Sequence, residues 1–181
     1  MSIKLGDIAP DFKADTTEGP IDSHKGWIKD INTTQNANVD FPLIADPDNK
    51  IADLYDMIHP NASNTHTVRI LFVIALDKTV KLTLTYPPST GRNFTKVLRV
   101  IDSLQLTANQ KVATPVNWVQ GEDCVVLPTI DTKEIPDLFP KGFTEITPYL
   151  RTTPQSIDLL NLRFVIHPTR HQVIYSREMW K

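Results

Sequence analysis

The sequence contains one cysteine in 181 residues, and this scarcity excludes whole classes of protein. A single thiol cannot form an internal disulfide, so the chain is not a disulfide-stabilised secreted domain, and a reducing compartment is favoured. Glycine is scarce as well, with 6 residues against 14 prolines. Turns must therefore rely mainly on Pro, Asn and Asp.

A basic excess and long apolar runs are also absent. The net charge is -2 and the pI is about 6.2, whereas a nucleic-acid-binding protein usually has a surplus of Lys and Arg. No stretch approaches the ~20 apolar residues of a membrane span, and "MSIKLGDIAPDF" has no signal-peptide core. We expect a cytoplasmic protein with no nucleic-acid partner and no membrane span.

The first third of the chain predicts two helices. "DSHKGWIKDIN" places Trp27, Ile28 and Ile31 on one helical face, with Ser23 as the N-cap. "FPLIADPDNKIADLYDM" predicts a short strand, an Asp-rich turn and a helix. That second helix carries Ile51, Leu54 and Tyr55.

A β-hairpin and a helix are predicted next. Apart from Arg69, "VRILFVIAL", from Val68, is a continuous apolar run, which is typical of a strand buried on both faces. "VKLTLTY" alternates and is predicted to pair with it, and an amphipathic helix with Asn93 as its N-cap follows. The alternation predicts two faces for this strand, Val80, Leu82, Leu84 and Tyr86 against Lys81, Thr83 and Thr85.

The neighbours of Cys124 decide between a nucleophile and a buried structural residue. A reactive thiolate needs a nearby cation or a helix N-terminus to lower its pKa. Glu122 and Asp123 precede this cysteine, and an apolar run typical of a strand follows it. We interpret Cys124 as a small buried residue at the start of a strand.

The histidines do not complete a metal site. His167 and His171 have a spacing that places two imidazoles on one helix face, as some zinc sites require. Pro168 disfavours a continuous helix there, and no carboxylate or thiol pattern completes a ligand set. His59 and His66 flank a polar loop and are expected to be solvated. We therefore expect no metal.

Two basic positions leave alternatives open. Arg69 interrupts the start of a buried strand. A cation at such a position either has a bonding partner or a functional role, or its side chain reaches solvent from the end of the strand. The segment "PPSTGRN" opens a helix and could bind a phosphate. It lacks the repeated glycines of a nucleotide-binding loop, so this signal is weak.

Taken together, several segments resemble the one-cysteine peroxiredoxins, the peroxiredoxin 6-type subfamily of the AhpC/TSA thioredoxin-fold family. "LGDIAPDFKADTTEG", "WIKDIN", "FPLIADPDNKIADLYDM" and the hairpin with its following helix resemble the thioredoxin-fold half. "KVATPVNWVQGEDCVVLPTI" and "LFPKGFTEITPYLRTTPQ" resemble the small C-terminal domain of that subfamily. The resemblance covers residues 1 to about 155, nearly in order.

The resemblance also identifies a missing segment. Family members place a strand, the active-site helix with its P-V-C-T-T-E motif and another strand between the "TTEG" hairpin and the "WIKDIN" helix. Such a βαβ unit needs ~30 residues, and the chain has no room for one between Pro20 and Ser23. The peroxidatic Cys is therefore absent. Of the peroxidase site only Arg69 carries over, and it is expected to be vestigial.

Some mammalian-type members resemble phospholipases that use a Ser, a His and an Asp. Of these three positions only that of the Asp has a counterpart here, Asp77. Cys124 lies where the family has no catalytic residue.

The resemblance implies an α/β protein with three parts. Residues 1–106 form a truncated thioredoxin-fold domain, residues 107–155 the C-terminal domain, and residues 156–181 a divergent tail. An internal gap with an unrelated end resembles the product of alternative splicing or misassembly.

Three functions compete. The first is the family's thiol-dependent reduction of hydrogen peroxide and organic hydroperoxides, which serves cell redox homeostasis and needs a thiol reductant but no cofactor. The second is a non-catalytic form that makes a homodimer, or a heterodimer with a full-length peroxiredoxin. The third is a non-functional product. Without the peroxidatic Cys, chemistry favours the second and third over the first.

Overall fold

The computed structural model describes residues 3–14, 22–62 and 66–155 of the chain. These residues form two compact units that meet in the sequence between Arg92 and Asn93. Both units combine helices with strands, in agreement with the predicted α/β class. Within the described part, no helix combines the length and the apolar character needed to cross a membrane.

The first unit contains two helices and a hairpin. Helix α1 spans Asp22–Gln35 and helix α2 spans Lys50–Leu54. Strands β1 (Arg69–Ile74) and β2 (Val80–Tyr86) pair antiparallel and form a two-stranded sheet. The hairpin and both helices are thus confirmed. The prediction that Ser23 is the N-cap of α1 was wrong, because the helix begins at Asp22 and Ser23 lies inside it.

The core of the first unit is built around Tyr55. Its ring meets Phe12 and Phe72 edge-on, at centroid distances of 5.8 and 5.4 Å. Its hydroxyl donates to the Pro10 carbonyl oxygen at 2.8 Å, which satisfies the polar end of a buried ring. The buried members of this first cluster are Ala9, Ile51, Ala52, Tyr55, Met57, Val68, Ile70, Phe72 and Val80.

The hairpin is apolar on both faces, but the faces are divided differently from the prediction. Val80 pairs with Ile74, Leu82 with Val73, and the register shifts by one residue between these pairs. Side chains opposite one another share a face, so the extra residue moves Val80 onto the face of the first cluster. The other face carries Arg69, Leu71, Val73, Leu82, Leu84 and Tyr86. The predicted grouping of Val80 with Leu82 was wrong for this reason.

An N-terminal strap, residues 4–11, lies along the start of β2. The Gly6 N–H donates to the Val80 carbonyl, and the Val80 N–H donates to the Asp7 carbonyl, both at 2.9 Å. The Ala9 N–H donates to the Lys78 carbonyl oxygen at 2.8 Å. Gly6 has a φ of 88°, a left-handed conformation that glycine adopts without a steric penalty. These hydrogen bonds attach the strap to the outer side of the hairpin at the start of β2.

The second unit is a long helix followed by a small sheet. Helix α3 spans Phe94–Asn109, and the Asn93 side chain accepts from the Lys96 N–H at 3.1 Å, which confirms the predicted N-cap. The sheet has the order β3-β4-β6-β5 with every pair antiparallel. Its strands are β3 (Val112–Ala113), β4 (Cys124–Val126), β5 (Thr144–Thr147) and β6 (Leu150–Thr153), and a 3₁₀ turn (Thr132–Glu134) leads into helix α4 (Ile135–Leu138).

The second unit has a core of its own. Its cluster is formed entirely by residues between 93 and 155, and Trp118, Val126 and Ile135 are completely buried. The members of this second cluster are Leu106, Val112, Trp118, Cys124, Val126, Ile130, Ile135 and Phe139. Strands of two to four residues gain little from their own ladders, so this packing must supply much of the unit's stability.

Candidate functional site

Cys124 is the first residue of β4, where the sequence placed it. Along this strand the residues are buried, half-buried and buried in turn, and Cys124 is 1% exposed to solvent. Its Sγ lies 3.7 Å from the Glu122 carbonyl oxygen, to which the thiol donates. The thiol is thus oriented into the second cluster rather than toward solvent.

The surroundings of Cys124 oppose its ionisation. Burial raises the pKa of the thiol, since a thiolate loses its hydration there. A hydrogen bond from Trp118 acts in the opposite direction, and the negative charge of Asp123 raises the pKa further. Because the thiolate is the nucleophilic form, this site disfavours attack on a substrate.

A short loop before β4 covers the thiol. The indole Nε1 of Trp118 donates to the Glu122 carbonyl at 3.1 Å, and the Glu122 carboxylate accepts from the Val119 N–H at 3.0 Å. The guanidinium of Arg99 donates to the Trp118 carbonyl at 3.3 Å. Sequence reasoning missed this role of Trp118. Its spacing of six residues from Cys124 carries no signal of contact.

Arg69 is the first residue of β1 and lies opposite Tyr86 in the hairpin register. It is half-buried, and its Nε is buried without a hydrogen-bond partner in the described part of the chain. Within those same residues it makes no ion pair. A buried donor without an acceptor costs ~1–3 kcal/mol, so the structure retains Arg69 at a cost in stability.

Asp77, the other position carried over by resemblance, lies in the hairpin turn and faces solvent. Its carboxylate accepts from the Thr79 N–H at 3.0 Å and from the Thr79 hydroxyl at 2.6 Å. These hydrogen bonds, led by that from the hydroxyl, lower the pKa of Asp77, and Lys81 adds a smaller effect. The contacts are those of a residue that closes a turn.

The remaining candidates do not assemble into a site. Among residues 3–14, 22–62 and 66–155, no group of three or more His, Cys, Asp or Glu side chains is arranged to hold a metal ion. The Nε2 atom of His59 lies 3.2 Å from the Asp56 carbonyl oxygen, and His66 is exposed. His167 and His171 lie outside the described residues. In "PPSTGRN" the side chain of Asn93 occupies the Lys96 N–H, one of the first-turn groups that a phosphate would use.

Two family models match separate parts of the chain. Residues 13–83 match the AhpC/TSA family, and residues 103–140 match the C-terminal domain of 1-Cys peroxiredoxin. The first match lies in the first unit and the second match in the second unit. The fold is therefore a truncated thioredoxin-like half followed by a small peroxiredoxin C-terminal domain.

Individual relatives come from the same family. The chain is 53% identical over 135 residues to a 1-Cys peroxiredoxin of Dictyostelium discoideum, covering 75% of this chain and 56% of that protein. It is 45% identical over 148 residues to peroxiredoxin-6 of Rattus norvegicus, covering 75% of this chain and 66% of the rat protein. The chain thus spans between about half and two thirds of the length of these relatives.

Solved structures of one-cysteine peroxiredoxins also resemble the chain. A mutant of the peroxiredoxin 6 of Arenicola marina superposes with a TM-score of 0.76 at 30% identity, covering 87% of this chain and 100% of that chain. A yeast mitochondrial 1-Cys peroxiredoxin gives a TM-score of 0.67 at 42% identity, covering 74% of this chain and 66% of that chain.

Proposed function

This chain belongs to the one-cysteine peroxiredoxin family, and from that premise we propose that it acts as a non-catalytic subunit, without peroxidase activity of its own. The family role is the reduction of hydrogen peroxide and organic hydroperoxides at the expense of a thiol. The proposal places the chain in the cytoplasm and retains the family's ability to form dimers. In this proposal the chain binds another protein chain and does not convert a substrate.

The observation that carries the proposal is the state of the one thiol. In the family reaction a thiolate attacks the O–O bond of the hydroperoxide, becomes a sulfenic acid and releases water or an alcohol, and a second thiol then reduces the sulfenic acid. Cys124 is the only cysteine of the sequence, and its side chain is buried with a raised pKa. No other side chain can take its place as a sulfur nucleophile.

Arg69 supports the same proposal by what surrounds it. In the family the corresponding arginine stabilises the peroxidatic thiolate. Here its Nε has no acceptor within the described residues, and the half-buried residue makes no ion pair there. We infer that Arg69 is vestigial. Substituting Arg69→Ala should leave any residual peroxide turnover unchanged, and a loss of turnover with an intact circular dichroism spectrum would contradict this.

The proposed dimer surface is the outer edge of β2. Lys81 and Thr85 are exposed, and the edge offers only one charge to oppose the addition of another strand. The partner is a second copy of this chain or a full-length peroxiredoxin, whose corresponding strand takes part in dimer pairing in the family. A monomeric chain with this edge uncovered would be prone to unspecific association.

Sedimentation tests this proposal. Velocity runs at several concentrations should show a monomer–dimer equilibrium for the chain alone, and a mixed dimer when a full-length one-cysteine peroxiredoxin is added. A monomer at every concentration, with or without that relative, would contradict the proposed function. Heterogeneous aggregates instead of a dimer would favour the alternative of a non-functional product, as would failure to find a chain of 20.5 kDa by intact mass in the source cells.

A further inference from the structure

Strand β1 pairs on one side only within the described residues, and its partner there is β2. The register with β2 advances one residue at a time from Arg69 to Val73, and the extra residue of the bulge, Lys81, belongs to β2. The alternation of backbone directions along β1 is therefore unbroken over these residues. We call the side of β1 that faces away from β2 the far edge.

Hydrogen bonds at the two ends of β1 show which residues direct their backbone groups to the far edge. After the strand, the Ala75 N–H donates to the Thr79 carbonyl, within the hairpin, at 2.9 Å. Before the strand, the Val68 N–H donates to the Met57 carbonyl at 2.9 Å. Residues 68 and 75 are an odd number of positions apart, so their N–H groups are directed to opposite sides and Met57 lies at the far edge. The strand residues that share the direction of Val68 are Ile70, Phe72 and Ile74.

These three positions are unpaired at the far edge but shielded from water. In the part of the chain that the structure describes, no other segment makes a backbone hydrogen bond to them there. Nevertheless Ile70, Leu71 and Phe72 are only 4, 3 and 2% exposed, backbone included. A backbone group that is neither paired nor hydrated costs ~1–3 kcal/mol. The far edge therefore needs a strand that supplies hydrogen bonds.

The sequence of the remaining segments identifies a strand that fits. Residues 15–21 contain two acidic residues, a glycine and a proline, and residues 63–65 are three polar residues, so neither has the composition of a buried strand. Residues 160–166 of the tail read Leu-Asn-Leu-Arg-Phe-Val-Ile, which is rich in residues that favour strands. Pro168 follows closely and cannot donate to a ladder, so it bounds the segment.

The apolar alternation of this segment matches the faces of β1. On β1 the face of the first cluster carries Ile70 and Phe72. Side chains of neighbouring strands share a face, so one face of the added strand would extend this cluster. Every second residue of the segment is apolar and suited to that face: Leu160, Leu162, Phe164 and Ile166. The opposite face would carry Asn161, Arg163 and Val165.

We propose that residues 160–166 of the tail pair as a strand with the far edge of β1 and pack Leu162, Phe164 and Ile166 against the first cluster. The tail then completes the two-stranded sheet and closes an edge that would otherwise be open to another chain. The inference is independent of the proposed function, because the proposed dimer uses the edge of β2, on the other side of the hairpin.

Nuclear Overhauser effects (NOEs) in the unmodified full chain test the pairing directly. Paired strands lie ~4.8 Å apart, so backbone protons of residues 70–74 should show NOEs to those of residues 160–166. These NOEs should be present at every protein concentration, since both strands belong to one chain. NOEs from the far edge to residues 171–175 instead, or to no residue of the tail, would overturn the inference.

Two glutamine variants of the full chain test the assignment of faces. Phe164→Gln places a polar side chain against the first cluster, whereas the control Arg163→Gln changes the neighbouring residue on the opposite face. Hydrogen exchange of the Ile70, Phe72 and Ile74 amides is measured in both. Protection should fall ~100-fold or more in Phe164→Gln, because the loss of a buried aromatic side chain shifts the opening equilibrium by that much. It should stay near the wild-type value in Arg163→Gln, and equal protection in the two variants would overturn the assignment.

The dependence on concentration separates this inference from the proposed function. Protection of the far edge that appears only as the concentration rises would mean that a second copy occupies it, which overturns the inference and leaves the association of the chain intact. A chain that stays monomeric but shows the NOEs to residues 160–166 would contradict the proposed function and support the inference.

Discussion

The thiol of Cys124 and the indole of Trp118 donate to the same acceptor, the backbone carbonyl of Glu122. The two distances are 3.7 Å from Sγ and 3.1 Å from Nε1. Both side chains are at most 1% exposed, so the shared carbonyl lies at the edge of the second cluster. A thiolate at this position would lose its hydration and lie beside a carbonyl oxygen, and this loss outweighs the hydrogen bond from Trp118. The arrangement holds the sulfur as a neutral thiol.

The raised pKa of Cys124 predicts a loss of stability in alkali. A thiol whose pKa is higher in the folded state ionises more readily after unfolding, so the stability it contributes is complete below the unfolded pKa of ~8.5 and falls as the pH rises above it. Chemical denaturation between pH 7 and pH 10 should show a steeper decline for the wild type than for Cys124→Ala. Equal slopes would contradict the raised pKa.

The buried Arg151 predicts a large effect of a single substitution in the second unit. Its guanidinium donates to the carbonyls of Ile130 and Leu127 and to the Thr132 hydroxyl, at 2.9, 3.3 and 3.0 Å. Arg151→Met would leave the buried Ile130 carbonyl and two part-buried acceptors without this donor, and should lower the free energy of unfolding by about 3 kcal/mol. Urea denaturation measures the change. Lys111→Ala, at an exposed position, should change it by under ~0.5 kcal/mol, and equal effects would refute the role of Arg151.

The first cluster predicts a comparable effect in the hairpin. Phe72 is 2% exposed and packs against Tyr55, so Phe72→Ala should cost ~3–5 kcal/mol of unfolding free energy in the first unit. Leu76→Ala, in the same hairpin but 64% exposed, is the matched control and should be nearly neutral. Thermal unfolding followed by near-ultraviolet circular dichroism measures both. A neutral Phe72→Ala would mean that the cluster does not stabilise the hairpin.

The independence of the second cluster predicts that residues 93–155 fold alone. All members of that cluster lie in this segment, and its last residue is held by the hydrogen bond from the Gly121 N–H to Gln155 Oε1 at 2.6 Å. Trp118 is the only tryptophan of the segment, so its fluorescence reports on the core. We expect blue-shifted emission and one cooperative unfolding transition. Emission at the wavelength of free tryptophan would show that the segment needs the rest of the chain.

The elements with a clear period could be predicted from the sequence. The apolar run of β1 and the alternation of β2 predicted the hairpin, and the three-and-four spacing that follows predicted α3 with its cap Asn93. The division of the β2 side chains between the two faces could not be predicted, because one extra residue near Val80 reverses their alternation. The apolar–polar alternation of the sequence does not reveal such a bulge. Val80 was therefore assigned to the wrong face.

The small sheet of the second unit was predictable only through its resemblance to a family. Its strands are two to four residues long, too short for periodicity to be read. Its packing depends on contacts between residues that are not neighbours in the sequence, such as Arg151 with Ile130, and these contacts have no local signature. For Cys124 itself, the local acidic residues and the apolar run were sufficient, since burial and charge both act on the pKa of the thiol.

The central claim is that this chain has no working nucleophile, and peroxide consumption measures it most directly. Hydrogen peroxide loss in the presence of a thiol reductant is followed for the wild type and for Cys124→Ser, with a full-length one-cysteine peroxiredoxin as the positive control. We predict that the two chains give the same rate, no higher than that of the reductant alone. A robust wild-type rate that Cys124→Ser abolishes would contradict the account and make Cys124 the catalyst.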